Sequence, residues 1–288
     1  MVSNVLLLRA PTQDGSSPDK YEACFASAGY QAVSIPVLET VLVNLSDLNQ
    51  IVKKGPLQKG LGGVIVTSAR ACEAWRVVVE QLVTDEGQSL DTDWTSAPFY
   101  AVGEATAAAL ADISSIPASH HLSPRDIRGG STTGTSEKLA QFILADIGHD
   151  TKTTLLYLTG DKNRDTLPNM LEDGGIDLEN LQVYGTTGSS RFERDLRDAL
   201  EGLPTDNPRW WIVYFAPSAA EFVTPILKRY YRLPELDVEG NINAQDVHLA
   251  AIGPTTLTFL RDSLRLVVDV TAPKPTPEAL VGAIGGAS

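Results

Sequence analysis

The sequence predicts an α/β protein with two similar domains, each built on a parallel sheet, and three observations support this fold class. Short apolar runs alternate with helical patterns along the chain, which is typical of strand–helix units in a parallel sheet. Two pairs of segments repeat each other in order and spacing. The chain has 288 residues, which is longer than most single hydrophobic cores, so two domains are expected.

Eight short apolar runs are predicted to be strands, because nearly all of them lead directly into a turn and a helix. They are residues 5–9, 32–35, 63–67, 99–102, 155–159, 211–215, 249–252 and 266–270. Helix starts are marked by Ser136 and by Thr276 followed by Pro277, a residue tolerated in a first turn. The polar stretches 84–97 and 123–134 are predicted to be surface loops.

The internal repeat consists of two motifs that each occur twice. Residues 63–75 parallel 211–222, and residues 101–106 parallel 251–256. The serine of the first motif and the glycine of the second are 35 residues apart in both copies, from Ser68 to Gly103 and from Ser218 to Gly253. The equal spacing predicts that the two domains share one structure.

Composition excludes several classes of partner. The net charge of −13 argues against a nucleic-acid partner, whose phosphates this surface would repel. The four histidines and two cysteines are not at ligand spacing, so no metal site is expected. The first apolar run is too short for a signal peptide, and no run approaches the roughly 18 residues of a membrane span, so a cytoplasmic protein is predicted.

The loops after the predicted strands carry small and hydroxylic residues at helix N-termini. Such termini offer unpaired N–H donors and about half a positive charge, which suits an anionic ligand. The sharpest case is the run Gly253-Pro254-Thr255-Thr256, where glycine permits close approach and two hydroxyls add donors. Plain helix capping is the alternative at each of these places.

Two common enzyme classes lack their motifs. The Gly-rich signatures of dinucleotide-binding proteins and of phosphate-binding loops are missing at the strand ends, which argues against a nucleotide-dependent transferase. The Gly-x-Ser-x-Gly motif of serine hydrolases is also missing.

The segment 155–186 carries the most specific pattern. A strand, a Gly turn, an Arg-x-x-Leu-Pro helix, Gly-Ile and then Val-Tyr-x-Thr follow one another, and six further motifs occur in register. These are Thr67-Ser68-x-Arg70-Ala71, Val102-Gly103-x-Ala105-Thr106, Gly134-x-Ser136-Glu137, Phe215-x-Pro217-Ser218, Ala251-Ile252-Gly253-Pro254-Thr255-Thr256 and Pro275-Thr276-Pro277. Together they resemble the uroporphyrinogen-III synthase family, although Ala219 stands where that family often has glycine.

The resemblance implies a fold and an activity. Domain 1 would comprise residues 1–36 plus 185–288 and domain 2 residues 37–184, joined by a two-stranded connection, with the active site in the interdomain cleft. Enzymes of this family close hydroxymethylbilane, a linear octacarboxylate tetrapyrrole, into uroporphyrinogen III. They lose water, invert ring D through a spiro intermediate, and use no cofactor or metal. The family expectation is a monomer.

The resemblance also implies residue roles. Tyr184 is the candidate proton donor for the departing hydroxyl, since a phenol carries its proton at neutral pH; a packing tyrosine is the alternative. Thr255 and Thr256 would bind carboxylates or assist departure of the hydroxyl. The substrate-binding candidates are Arg9, Ser68, Arg70, Gly103, Thr106, Gly160, Lys162, Arg164, Ser218, Ala219, Gly253 and Pro254. Solvated surface charge is the alternative for Lys162 and Arg164.

A rival interpretation is a non-catalytic, bilobal protein that binds a small molecule, because two-domain α/β folds commonly close around ligands. An added DNA-binding module or a signal peptide would favour it. The sequence shows neither of these features.

Overall fold

Parallel strands form the centre of two units in the computed structural model, which describes residues 3–12, 18–84, 92–148, 153–203, 209–235 and 247–287. Unit 1 comprises Met1–Glu39 with Thr187–Ser288, and unit 2 comprises Thr40–Thr186. The predicted fold class of two parallel-sheet α/β domains is confirmed. The domain boundaries at residues 36 and 184 stay a prediction.

Twelve strands and ten α-helices occur within the described ranges. The strands are β1 Ser3–Leu8, β2 Gln31–Ser34, β3 Leu38–Leu42, β4 Leu61–Val66, β5 Pro98–Ala101, β6 Asp126–Gly129, β7 Thr154–Thr159, β8 Asp177–Gln182, β9 Tyr184–Gly188, β10 Arg209–Tyr214, β11 Val247–Ala251 and β12 Val270–Thr271. The helices are α1 Lys20–Ser27, α2 Leu45–Lys59, α3 Ala69–Thr84, α4 Glu104–Ala111, α5 Ser136–Ile147, α6 Thr166–Asp173, α7 Phe192–Glu201, α8 Pro217–Leu227, α9 Pro254–Asp262 and α10 Pro277–Gly286.

The two five-stranded sheets share one layout. Unit 1 has the order β12-β11-β10-β1-β2 and unit 2 the order β6-β5-β4-β7-β8, and neighbouring strands in both are parallel. The repeated motifs of the sequence correspond to β4–α3 and β10–α8 and to β5–α4 and β11–α9. The strands β3 and β9 form a separate two-stranded sheet, and the chain passes from one unit to the other within each of them.

Each five-stranded sheet packs against an apolar cluster on both faces. Successive side chains of a strand point to opposite faces, so a continuous apolar strand contributes to both clusters. In β1, Leu6 and Leu8 join one apolar cluster, whereas Val5 and Leu7 join another. Unit 2 is built in the same way around β4 and its neighbours. Six of the eight predicted apolar runs therefore correspond to inner strands of the sheets, whereas residues 32–35 and 266–270 lie at the edges of the unit 1 sheet. Polar loops follow the carboxyl ends of the inner strands.

The helix starts follow the sequence closely. Thr276 caps α10 by accepting a hydrogen bond from the N–H of Ala279 at 3.3 Å, with Pro277 in the first turn. Thr135, one residue before the predicted Ser136, caps α5 in the same way. Among the helices that the structure describes, none is long and apolar enough to cross a membrane.

The predicted surface loop at residues 123–134 was wrong. It contains β6, which pairs with β5, and a short 3-10 turn over Gly130–Thr132. Ser123 is fully buried and shares a 2.7 Å hydrogen bond with Ser119, so its polarity is satisfied inside the fold. The glycines and serines correctly indicated a turn, but the short edge strand β6 beside it was not predicted.

The predicted loop at residues 84–97 is confirmed over residues 92–97, which contain no helix or strand, but its surface position was wrong at Trp94; residues 85–91 lie outside the described ranges. Trp94 is fully buried, and its indole N–H donates to the carbonyl of Val52 at 2.9 Å. Pro56 lies four residues after Val52 in the kinked helix α2 and has no N–H to donate to it. The tryptophan therefore replaces the hydrogen bond that proline removes.

The predicted strand at residues 266–270 is reduced to a bridge and a short pair. Leu266 forms an isolated bridge with Glu235, and β12 begins only at Val270. Its apolar side chains fill the core of unit 1 from irregular backbone, so apolar character alone overestimated the strand.

Candidate functional site

The carboxyl ends of β4, β5 and β7 in unit 2 open onto one cavity of about 430 Å³. Its lining comes from these strand ends, the start of α5, the loop before α6 and the first residue of β9. The lining residues are Thr67, Val102, Gly134, Thr135, Ser136, Glu137, Tyr157, Lys162, Asn163, Arg164 and Tyr184. The place agrees with the general rule that ligands bind beyond the carboxyl ends of parallel strands.

Tyr184 reaches this cavity because its ring lies directly on Gly160. A side-chain carbon added at Gly160 would stand 2.5 Å from Cζ and 2.8 Å from the phenolic oxygen of the tyrosine. The half-buried ring also packs against the apolar cluster that lies on one face of the unit 2 sheet. One edge of Tyr184 is therefore fixed by packing, while the residue still lines the cavity.

The loop after β7 is closed by its own hydrogen bonds. The N–H of Gly160 donates to Oδ1 of Asn163 at 3.1 Å, and Nδ2 of Asn163 donates to the carbonyl of Gly160 at 2.7 Å. Asp161 accepts a hydrogen bond from the N–H of Thr186 at 3.1 Å. The loop is thus joined to the same short strand that carries Tyr184.

A second phenol, Tyr157, lines the cavity from within β7 and was missed by the sequence reasoning. It is 4% exposed. Burial raises its pKa, a hydrogen bond with Thr67 opposes this, and the nearby Tyr184 raises the pKa further. Tyr157 therefore stays protonated and polar in an otherwise apolar strand, where a tyrosine looks like an ordinary core residue.

Positive charge at the cavity comes from two exposed side chains, Lys162 and Arg164. Within the described ranges, neither of them forms an ion pair with a carboxylate. The same holds there for Arg70, in the first turn of α3. A cation without a carboxylate partner is available to bind an anionic ligand.

The start of α5 adds backbone donors and one carboxylate to the cavity. Hydrogen bonds from its own backbone N–H and with Thr135 lower the pKa of Glu137, and Arg164 lowers it further by charge attraction. Glu137 is therefore ionised at neutral pH. Its charge offsets part of the positive charge of Arg164, so the local field here is mixed.

The other predicted residues of unit 2 lie at the same strand ends but outside the cavity lining. The hydroxyl of Ser68 accepts a hydrogen bond from the N–H of Ala71 at 3.2 Å, so it caps α3. Gly103 begins α4 with φ at 140°, a value that favours glycine. Thr106 is 8% exposed in the first turn of the same helix. Their roles toward a substrate stay predictions.

In unit 1, the corresponding strand ends carry the predicted threonine motif. Gly253 precedes α9 in an extended conformation, Pro254 and Thr255 are exposed, and Thr256 is 3% exposed. At the start of α8, Ser218 is exposed, whereas Ala219 is buried in the core. The methyl group of Ala219 therefore lies in the core, and only its backbone N–H remains for a ligand.

Arg9 is held by its own unit. It forms a 2.8 Å ion pair with Asp19, whose side chain is 3% exposed, and its guanidinium stacks over the ring of Tyr21. Burial alone would raise the pKa of Asp19, but hydrogen bonds from the N–H of Thr12 and from Arg9 lower it to about 2. This geometry favours a structural role for Arg9, and its substrate-binding role stays a prediction.

The structure therefore brings three predicted residues, Lys162, Arg164 and Tyr184, onto one cavity, with Gly160 directly beneath the tyrosine ring. The sequence reasoning missed Tyr157 and Asn163 as cavity residues. Two signals could have indicated them: a polar group near the carboxyl end of an apolar strand for Tyr157, and a polar side chain in a Gly turn for Asn163. No cluster of three metal-ligating side chains occurs in the part of the chain that the structure describes.

Comparison with known proteins gives one consistent family. The family model described as uroporphyrinogen-III synthase HemD matches residues 19–282. The chain is 27% identical over 275 residues to uroporphyrinogen-III synthase of Saccharomyces cerevisiae, covering 92% of this chain and 90% of that protein. It is also 27% identical over 289 residues to the enzyme of Schizosaccharomyces pombe, covering 98% and 96%.

Solved structures from the same family also match along the whole chain. The crystal structure of uroporphyrinogen-III synthetase from Helicobacter pylori is 16% identical, with a TM-score of 0.42 and complete coverage of both chains.

Proposed function

Because the chain belongs to the uroporphyrinogen-III synthase family, we propose that it converts hydroxymethylbilane into uroporphyrinogen III. The hydroxymethyl carbon loses its hydroxyl as water, with the proton supplied by the enzyme, which leaves an N-protonated, cationic azafulvene. Attack from the substituted carbon of ring D then gives a spiro intermediate, which fragments and recloses with ring D inverted. Only water leaves, so the reaction requires no oxidant or reductant.

The observation that carries the site assignment is the phenol of Tyr184 on an open cavity beside Lys162 and Arg164. Hydroxide is a poor leaving group, so a proton donor at the hydroxymethyl oxygen should accelerate its departure. General acids of this kind typically contribute about 10² to 10⁴ in rate. We assign this role to Tyr184, which regains its proton when the unsubstituted α-carbon of ring D, bonded in the final closure, loses its hydrogen.

The carboxylates of the substrate require donors on a chain with a net charge of −13. Local groups must supply the attraction, because the overall field opposes the approach of an anion. Lys162, Arg164 and the backbone donors at the start of α5 are grouped on one cavity. They would hold substrate carboxylates through charge-assisted hydrogen bonds, and Arg70 would add a further contact.

The strand-end loops of unit 1 provide further carboxylate contacts in this proposal. The run from Gly253 to Thr256 begins α9 with free backbone donors and two hydroxyls, and Ser218 begins α8. Thr255 is exposed and would bind substrate directly, whereas buried Thr256 would act mainly through its backbone.

The test is an isomer assay with freshly generated hydroxymethylbilane. The purified chain should yield uroporphyrinogen III, separated from the type I isomer after oxidation, whereas heat-inactivated protein should yield type I alone. Type I as the only product with the native chain would overturn the proposal and favour a binding protein without catalysis.

We further propose a monomer that works in the cytoplasm and has no nucleic-acid partner. The negative net charge supports the last point, and both cysteines, Cys24 and Cys72, are free thiols, which suits a reducing compartment. Light scattering of the purified chain should give the mass of one chain, and a dimer mass would contradict this.

A further inference from the structure

We propose that Gly160 is a positioning residue for the Tyr184 phenol, an inference that rests on the function proposed above. The tyrosine ring fills the space that a side chain at Gly160 would occupy, with Cζ 2.5 Å and the phenolic oxygen 2.8 Å from the added carbon. Real side-chain carbons essentially never approach other atoms within 3.0 Å. Any residue larger than glycine must therefore displace the phenol.

Space alone explains the glycine. The φ of Gly160 lies outside the left-handed range, unlike that of Gly103 or Gly129, so alanine could adopt the same backbone conformation. A substitution would therefore act through the ring of Tyr184 and not through backbone strain.

Two further contacts make the loop a firm support for the ring. The side chain of Asn163 donates to and accepts from the backbone of Gly160, which closes the turn. The carboxylate of Asp161 holds the N–H of Thr186, two residues beyond the tyrosine. The loop therefore fixes both the ring and the strand that carries it.

The same geometry separates this role from direct binding of substrate. Gly160 is buried beneath the ring, so a substrate atom would have to displace Tyr184 in order to touch it. Misplacing a catalytic group by about 1 Å can cost about 100-fold in rate. Gly160→Ala should therefore lower kcat about 10- to 100-fold and leave KM within about twofold.

The test is a double-mutant cycle with steady-state kinetics. Gly160→Ala, Tyr184→Phe and the double variant are compared with the wild-type chain. Phenylalanine keeps the ring but cannot donate a proton. Displacing this ring by Gly160→Ala should therefore lower kcat little further. The double variant is expected to have the kcat of Tyr184→Phe within about twofold, which is strong non-additivity.

Gly174→Ala is the matched control. A side-chain carbon there would crowd the flexible end of Leu144, in the same unit but away from the cavity, and its φ of −81° also suits alanine. This variant should keep the wild-type kcat. Full additivity of Gly160→Ala with Tyr184→Phe, an unchanged kcat, or a rise in KM alone would overturn the proposal.

A second pair keeps the test valid if Gly160→Ala does not fold. Asn163→Ala removes both loop hydrogen bonds, and its loss of kcat should likewise vanish in the Tyr184→Phe background; additive losses would contradict the positioning role. The wild-type isomer assay is scored separately. Failure of the wild-type chain to form type III product refutes the proposed function, whereas additivity in an active chain refutes only this inference.

Discussion

The two units differ in charge pairing after two strands that hold the same place in their sheets. β1 lies beside β10 in unit 1, and β7 lies beside β4 in unit 2. After β1, Arg9 is neutralised by buried Asp19 and stacked on Tyr21. After β7, Lys162 and Arg164 form no ion pair within the described residues.

The difference shows how one architecture can serve either stability or binding. A cation that is paired inside its own unit contributes to the fold and has little attraction left for a ligand. A cation left unpaired at a cavity contributes little to the fold and keeps its charge for an anion. Substitutions at the first strand end should therefore change stability, and those at the second should change catalysis.

The largest effect is expected at the β7 end. Tyr184→Phe should lower kcat about 100-fold and leave KM within about threefold, because the lost proton acts on the transition state and not on binding. Steady-state kinetics with hydroxymethylbilane measures both constants. Tyr30→Phe, on a tyrosine whose ring packs against Phe25, is the control and should keep the wild-type kcat. An unchanged turnover number in Tyr184→Phe would remove this residue from the acid role.

At the β1 end, Asp19→Asn should lower the free energy of unfolding at pH 7 by about 1 to 2 kcal/mol. The variant loses the charge that pairs with Arg9 and keeps an oxygen for capping α1. Urea unfolding measures this loss. Asp262→Asn, on an exposed carboxylate paired with its neighbour Arg261, is the control and should change little.

The difference in unfolding free energy between wild type and Asp19→Asn should also depend on pH. The pKa of Asp19 falls from its ordinary value of 3.8 to about 2 in the fold. Its ionisation therefore stabilises the protein above about pH 4, and this contribution is lost as the pH falls toward 2. The gap between wild type and Asp19→Asn should narrow from pH 7 to pH 3. A gap that stays constant over this range would contradict the ion-pair account.

Sequence reasoning predicted the features that depend on local pattern. Central strands appear as apolar runs, the repeat shows that two sheets share a layout, and Thr276 with Pro277 marks a helix start. Ordered motifs around Tyr184 indicated the family, which the family model confirms. Each of these features depends on residues that are close together in the sequence.

Contacts between distant residues could not be predicted. Nothing near Gly160 in the sequence indicates that the ring of Tyr184 lies on it, and nothing near Arg9 indicates a partner at Asp19. Tyr157 was not predicted as a cavity residue, because a tyrosine in an apolar strand is equally typical of the hydrophobic core. The burial of Trp94 within its loop was not predicted, because its partner, the carbonyl of Val52, lies 42 residues away.

A smaller effect compares equivalent glycines of the two units. Gly103→Ala should lower the free energy of unfolding by about 1 kcal/mol, because a φ of 140° strains any residue with a side chain. Gly253→Ala should cost less than about 0.5 kcal/mol, since its φ of −179° is ordinary extended backbone. A side-chain carbon added at either glycine meets no atom within 4 Å, so steric crowding does not contribute to the difference in unfolding free energy. Equal losses in urea unfolding would show that φ is not the cause.

The central claim is that Lys162 and Arg164 at the β7 end bind the anionic substrate of the proposed function. The most direct measurement is the KM for hydroxymethylbilane of the double variant Lys162→Gln/Arg164→Gln, with Lys54→Gln as the control for removal of an exposed charge. Exposed charge pairs contribute below about 1 kcal/mol each, so we expect a rise of about threefold per charge, with unfolding unchanged. A KM equal to that of the control would contradict the claim.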